Sequence, residues 1–141
     1  MSVAVIVRDD LTGVSRADLR AANNWQQQYR LIIQWGKLIQ PKPDMRVPEN
    51  LVKGCELPVW IAHGMQGDKH FFAVDSDSSV MNGLVVLLLM QINHKTTAEI
   101  QALDLAVDLH QLGLEKHLSP SRNNGFTRIM ARMLSLLERA Y

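Results

Sequence analysis

The stretch "GLVVLLLM", Gly83 to Met90, limits the fold more than any other in the chain. It is apolar all round, so as a helix it has no face to offer water, yet it is far shorter than the roughly 20 residues that a membrane span requires. It is therefore expected as a buried helix, capped by Ser78 and running through Ile92. A chain of 141 residues has material to cover one such core, and a second would be undersized. One domain over 1–141 is the reading, with residues 1–14 an extension outside the pattern and loosely ordered.

The cover comes from both sides in sequence. Asn24 is placed to cap "WQQQYRLIIQWGKLI", where Trp25, Tyr29, Ile32, Gly36 and Ile39 recur at helical spacing. "SRADLRAAN" before it reads as a further helical piece, and the loop "PKPDMRVPEN" after it removes backbone donors at its prolines. "PVWIAHGM" and "KHFFAVDSD" then read as a β-hairpin around Gln66, Gly67 and Asp68, with a third short strand expected near "NLVKG". Beyond the buried helix, Thr96 and Glu99 form a capping box for "TAEIQAL", and a short helix is expected up to a stop at Gly113. Ser119 caps a last helix with Pro120 at its first position and an inward face of Phe126, Ile129, Met130, Met133, Leu134 and Leu137. The fold class is α+β: a small antiparallel sheet of about three strands packed on one side by helices.

Lys and Arg total 15 against 14 Asp and Glu, so no broad field draws the chain to nucleic acid or to a membrane. The N-terminus "MSVAVIVRDD" has no basic region ahead of its apolar run and makes a poor signal peptide, which points to a cytoplasmic protein.

Cys55 is the only cysteine, and it stands in "KGCELPVW". A free cysteine is most often a small buried hydrophobe. This one follows Gly54 and a proline-rich loop and precedes Glu56 and Pro58, which is the setting of a loop tip, where chemistry concentrates. With no partner thiol there is no internal disulfide, no CxxC redox pair and no all-cysteine metal site. The histidines at 63, 70, 94, 110 and 117 make no i,i+4 pair and no close cluster with Cys55, so no metal site is expected. A cysteine hydrolase with His63 or His70 as base lacks any sign of an orienting group or oxyanion hole. A thiolate without a resolving cysteine can, however, accept a sulfur atom and hold it, because no neighbour closes a disulfide to expel it.

Three blocks, "LVKGCELPVW", "DSDSSVMNGL" and "LSPSRNNGF", stand in an order and spacing that resemble the SufE family of sulfur acceptors. "NHKTTAEIQALD" and "LGLEKHLSPSR" look closer to its CsdE branch. The chain departs from the pattern at Leu57 and Pro58, where a small polar residue is common, and at "SRNNG", where "SRSQG" is frequent. The resemblance implies a fold shared with IscU-type scaffolds and a persulfide-carrying cysteine, matched here by Cys55. It also implies a cysteine desulfurase partner of the SufS or CsdA kind, which holds the pyridoxal phosphate. A downstream iron–sulfur scaffold or other sulfur acceptor follows. Such a protein is a partner and activator rather than a stand-alone enzyme, and Glu56, Leu57 and Pro58 are its expected partner contacts.

The nucleophile must be a thiolate, and a free cysteine titrates near 8.5, so a neighbouring cation is wanted. Lys53 and Arg122 are the candidates. An arginine in a first helical turn is opposed by the helix dipole and seeks a carboxylate, so either Arg122 pairs with Asp77 or Asp75 and pins the "DSD" turn beside the Cys55 loop, or the two acids simply lead into the helix after Ser78, where negative charge is welcome.

Overall fold

The computed structural model describes residues 9–105 and 112–139, with the side chains of 115 and 139 left aside. Five helices are seen among these: α1 (Arg16–Ala21), α2 (Trp25–Gly36), α3 (Ser79–Ile92), α4 (Thr97–Gln101) and α5 (Pro120–Arg139). Three strands, β1 (Val59–Gln66), β2 (Lys69–Ser76) and β3 (Lys95–Thr96), form one antiparallel sheet in that order. The arrangement is α+β.

Helix α3 is the axis. The Ser78 hydroxyl accepts from the Met81 amide, and from Val80 to Leu89 every residue of the helix is buried. It packs against α2, β2 and α5. Its crossing with α2 is glycine on glycine: a Cβ on Gly36 would collide with the Ser79 carbonyl, and one on Gly83 with that of Ile32. Only residues without a side chain let the two backbones approach this closely. Asn24 caps α2 by accepting from Gln27, and Ile32, Gly36 and Ile39 are buried on the predicted face.

The hairpin is tighter than its sequence suggests. Gln66 pairs with Lys69, leaving Gly67 and Asp68 alone in the turn, and Gly67 takes φ +61°, as the first central position of a tight hairpin turn requires. The third strand is not "NLVKG". That stretch makes one isolated bridge, Leu51 to Trp60, because a 3₁₀ turn at Pro48–Asn50 and the positive φ of Gly54 keep the chain from running extended. β3 pairs instead with the far end of β2, at Lys69↔Thr96 and His70↔Lys95. The Thr96–Glu99 capping box opens α4. The short helix expected next falls largely outside the described residues, and Gly113 takes φ +71°.

In α5, Phe126, Ile129, Met133 and Leu137 are buried as expected, but Leu134 is 44% exposed. It follows Met133 directly and so turns off the inward stripe. Residues 9–14 of the extension are docked rather than loose. Asp9 and Lys42 form an ion pair of 2.7 Å with both side chains 3% exposed, and Val14 is buried. The Lys42 ammonium also donates to the Gln40 and Val74 carbonyls, which supplies the partners that a buried charge needs.

Candidate functional site

Two segments far apart in sequence meet at Cys55. The loop from Lys53 to Pro58 lies on the N-terminal half of α5, whose first turn is capped by the Ser119 hydroxyl accepting from Arg122. Three bonds hold the loop there. The Ser121 hydroxyl donates to Glu56 Oε2 at 2.6 Å, Asn124 Nδ2 donates to the Gly54 carbonyl at 3.0 Å, and the Cys55 thiol donates to the Gly125 carbonyl at 3.7 Å. A Cβ on Gly125 would sit 3.8 Å from Cys55 Sγ and 3.3 Å from the Met81 methyl, so Gly125 forms the floor on which the thiol rests, beside α3. The "SRNNG" block is thus the cradle of the cysteine loop.

Cys55 is half-buried and packs against the core. Burial pushes its thiol pKa up and outweighs the Arg128 guanidinium, which pulls it down. At rest the group is therefore a protonated thiol. Arg128 leans on Gly54: its Nε would lie 3.0 Å from a Cβ placed there, at a residue whose φ of +90° already excludes most side chains. The cation beside the cysteine is Arg128, not the expected Lys53 or Arg122. Lys53 is exposed, and Arg122 is occupied elsewhere.

The expected Arg122 pairing with Asp77 or Asp75 is not formed. Arg122 lies 5.9 Å over the Tyr29 ring of α2. Arg46, from the proline-rich loop, takes its place: its Nε donates to Asp75 and its Nη2 to Asp77, both at 2.8 Å, and its guanidinium sits 4.5 Å above the Trp60 ring. Asp75 is buried and also accepts from the Lys42 amide. Burial alone would raise its pKa, but these donors and charges outweigh it and hold the carboxyl below its ordinary value. Arg46 wins because it can reach both acids at once from a loop beside β2, whereas α5 carries Arg122 towards α2. Glu56, Leu57 and Pro58 are all exposed, Leu57 at 53%.

The two candidate bases face one another and not the thiol. His63 Nε2 lies 2.8 Å from His70 Nδ1, and His70 Nε2 lies 2.6 Å from the Thr97 hydroxyl. Among the described residues no three His, Cys, Asp or Glu side chains gather as a metal ion would need, and no helix is long and apolar enough to cross a membrane.

Residues 15–137 match the model of a family described as SufE, an Fe-S metabolism associated domain. A relative from Haemophilus influenzae, named an uncharacterized SufE-like protein, is 37% identical over 120 residues, which span 84% of this chain and 95% of the relative.

Proposed function

The chain belongs to the SufE family, the Fe-S metabolism associated domain, and from that premise we propose that it is a sulfur acceptor and carrier whose working atom is Cys55 Sγ. The observation that carries the proposal is the placement of a lone thiol on a loop fastened to α5 by two solvent-exposed side-chain hydrogen bonds. The donor is a pyridoxal-phosphate-dependent cysteine desulfurase, and the cofactor stays with that partner. Docking frees the loop, and the Cys55 thiolate attacks the terminal sulfur of the desulfurase's cysteine persulfide. The S–S bond of that persulfide breaks, the desulfurase thiolate leaves, and Cys55 becomes the persulfide, with no net oxidation. With no second cysteine in the chain to close a disulfide, the sulfur is kept for an acceptor protein of iron–sulfur assembly. A persulfide is readily lost to oxidants and reductants, so reclosure of the loop on Gly125 protects the cargo. A single unpaired thiol also suits the reducing cytoplasm.

Intact-mass spectrometry after incubation with a cysteine desulfurase, pyridoxal phosphate and cysteine should show one added sulfur atom on this chain, absent from Cys55→Ser. Desulfurase turnover should rise with the wild type alone. A desulfurase that visibly carries its own persulfide, yet leaves Cys55 unmodified and turns over no faster, would leave only a protein-interaction module with an inert cysteine.

A further inference from the structure

We infer that the groove beside the Cys55 loop is the docking site for an acidic segment with an apolar tip on the sulfur-donating protein, gripped by Lys53, Arg128 and Arg132. The inference rests on the sulfur-transfer reading for the identity of the partner, though not for the existence of the site. Between the proline-rich loop and α5 lies a cavity of about 450 Å³, with Pro48, Leu51 and Val52 on one side and Arg128 and Arg132 on the other. Lys53, two residues before Cys55, also lines it.

Its charge is local and uncompensated. The whole chain carries a net +1, yet three cations line this cavity against one acid, Glu49. Elsewhere Lys42 and Arg46 are matched by carboxylates, whereas Lys53, Arg128 and Arg132 take part in no ion pair among the described residues. One Arg132 donor is committed to the Glu49 carbonyl at 2.7 Å, which fixes the side chain along the groove and leaves its charge free. Arg128, packed on Gly54, would bring a bound carboxylate to within a residue or so of the cysteine.

The apolar side of the same surface is equally uneven. Among the described residues, the large apolar side chains that stay exposed are Val47 at 37%, Leu51 at 38%, Leu57 at 53% and Leu134, so all but the last lie within a short stretch around Cys55. Leu51 belongs to the groove itself. Exposed apolar side chains gathered with cations mark a protein partner. A nucleic acid would engage the cations and leave the apolar wall unused. An acidic segment that inserts one apolar side chain satisfies both, and charge complementarity of this kind sets encounter rate and register.

The probe is the cysteine desulfurase used to load Cys55, with direct binding measured by biolayer interferometry and sulfur loading by intact mass. Arg128→Glu combined with Arg132→Glu should weaken binding roughly tenfold or more at low salt, the gap narrowing at high salt. Leu51→Ser should weaken it by about threefold or more, with little salt dependence. Lys69→Glu, which makes a two-unit charge change at the hairpin turn, should bind as wild type, and Arg128→Lys should keep most of the affinity. Circular dichroism melts identify any variant that has not folded, in which case Leu51→Ser and Arg128→Lys carry the test. The proposal is overturned if the double reversal binds as tightly as wild type, if Lys69→Glu weakens binding equally, or if the wild type does not bind. Binding that the reversal abolishes without any sulfur on Cys55 would support the groove and refute the carrier reading. Sulfur loading with unaffected binding in every variant would do the opposite.

Discussion

Replacing Ser121 and Asn124 together with alanine should unlatch the Cys55 loop while leaving the fold in place. The two side chains supply the Glu56 and Gly54 bonds, and both bonds lie at the surface. An exposed hydrogen bond contributes about 0.5–1 kcal/mol net, so the pair should bias the closed loop by about 1–2 kcal/mol. With a factor of ten for each ~1.4 kcal/mol, the open population should rise about five- to thirtyfold. The remaining closed-state contact, Cys55 Sγ to the Gly125 carbonyl at 3.7 Å, is a weak thiol bond and cannot hold the loop alone. Alanine suits the helix interior better than serine or asparagine, so the thermal midpoint should hardly move. The assay is the second-order rate of Cys55 with iodoacetamide at fixed pH near neutrality, read by intact mass. Opening both exposes the sulfur and removes the burial that raises its pKa, so the variant should react faster by about the same five- to thirtyfold. Each single variant should give roughly the square root of that gain. A double variant that alkylates at the wild-type rate, with an unchanged melt, would refute the latch: the loop would then already be open in solution, or be held by contacts other than these.

The acid pair offers a contrast between depth and exposure. Asp75→Asn should lower stability by about 2–3 kcal/mol in urea denaturation, because a buried carboxylate that serves Arg46 and the Lys42 amide is neutralised. Asp77→Asn, at a side chain 89% exposed, should change it by less than about 0.5 kcal/mol, although the two acids bind the same guanidinium at the same distance. Since the folded pKa of Asp75 is depressed, its contribution is present above its ordinary value of 3.8 and lost as pH falls through and below it, so Asp75→Asn should flatten the acid limb of the stability curve. The histidine pair acts at milder acidity. Burial first, and the neighbouring His70 second, push His63 down from 6.5 to about 4. Between those values the unfolded chain binds a proton that the folded chain refuses, so stability should begin to fall below about pH 6.5 and level off below about 4. Burial holds His70 below its ordinary value too, so His63→Gln should remove only part of that slope in pH-resolved melts; an unchanged slope would place the titration elsewhere.

Much of this was readable because it depends on local spacing. The caps at Asn24, Ser78 and Thr96 need only a side chain three residues ahead of an amide, and all three form. The buried α3 followed from its composition alone. The misses have other causes: one is settled by which distant segment reaches the acids, the other by local backbone that composition does not reveal. A dipole argument drew attention to Arg122, but an arginine on a loop can rotate to meet two acids, while one on a helix goes where the helix axis takes it, here to Tyr29. The third strand was misplaced because "NLVKG" has strand composition but sits between Pro48 and a glycine at φ +90°. Arg128 did leave a signal. Ser121, Gly125, Arg128 and Arg132 recur at spacings of three or four, so once the cysteine loop is set against the first pair, the same helix face presents the other two.

That shared face links access to reactivity. In the closed loop, burial and Arg128 act on Cys55 in opposite directions, and burial wins, so the thiol is protonated and slow. When the loop leaves Gly125 the burial contribution falls away, whereas a cation in high-dielectric surroundings weakens but does not change sign. Arg128 packs against Gly54, whose φ of +90° is a backbone conformation that glycine adopts freely and other residues rarely do. A loop pivoting there would carry Cys55 away from Met81 and Gly125 while keeping it near the guanidinium. The same motion would then expose the sulfur, lower its pKa and present it beside the groove where the donor's carboxylates would sit. Arg128→Gln should therefore slow alkylation by about the same factor in the Ser121→Ala/Asn124→Ala background as in the otherwise wild-type chain, because in both the sulfur reacts from the open loop. Slowing that fades in the unlatched background would mean that Arg128 acts on the closed loop alone, and the pivot would be wrong.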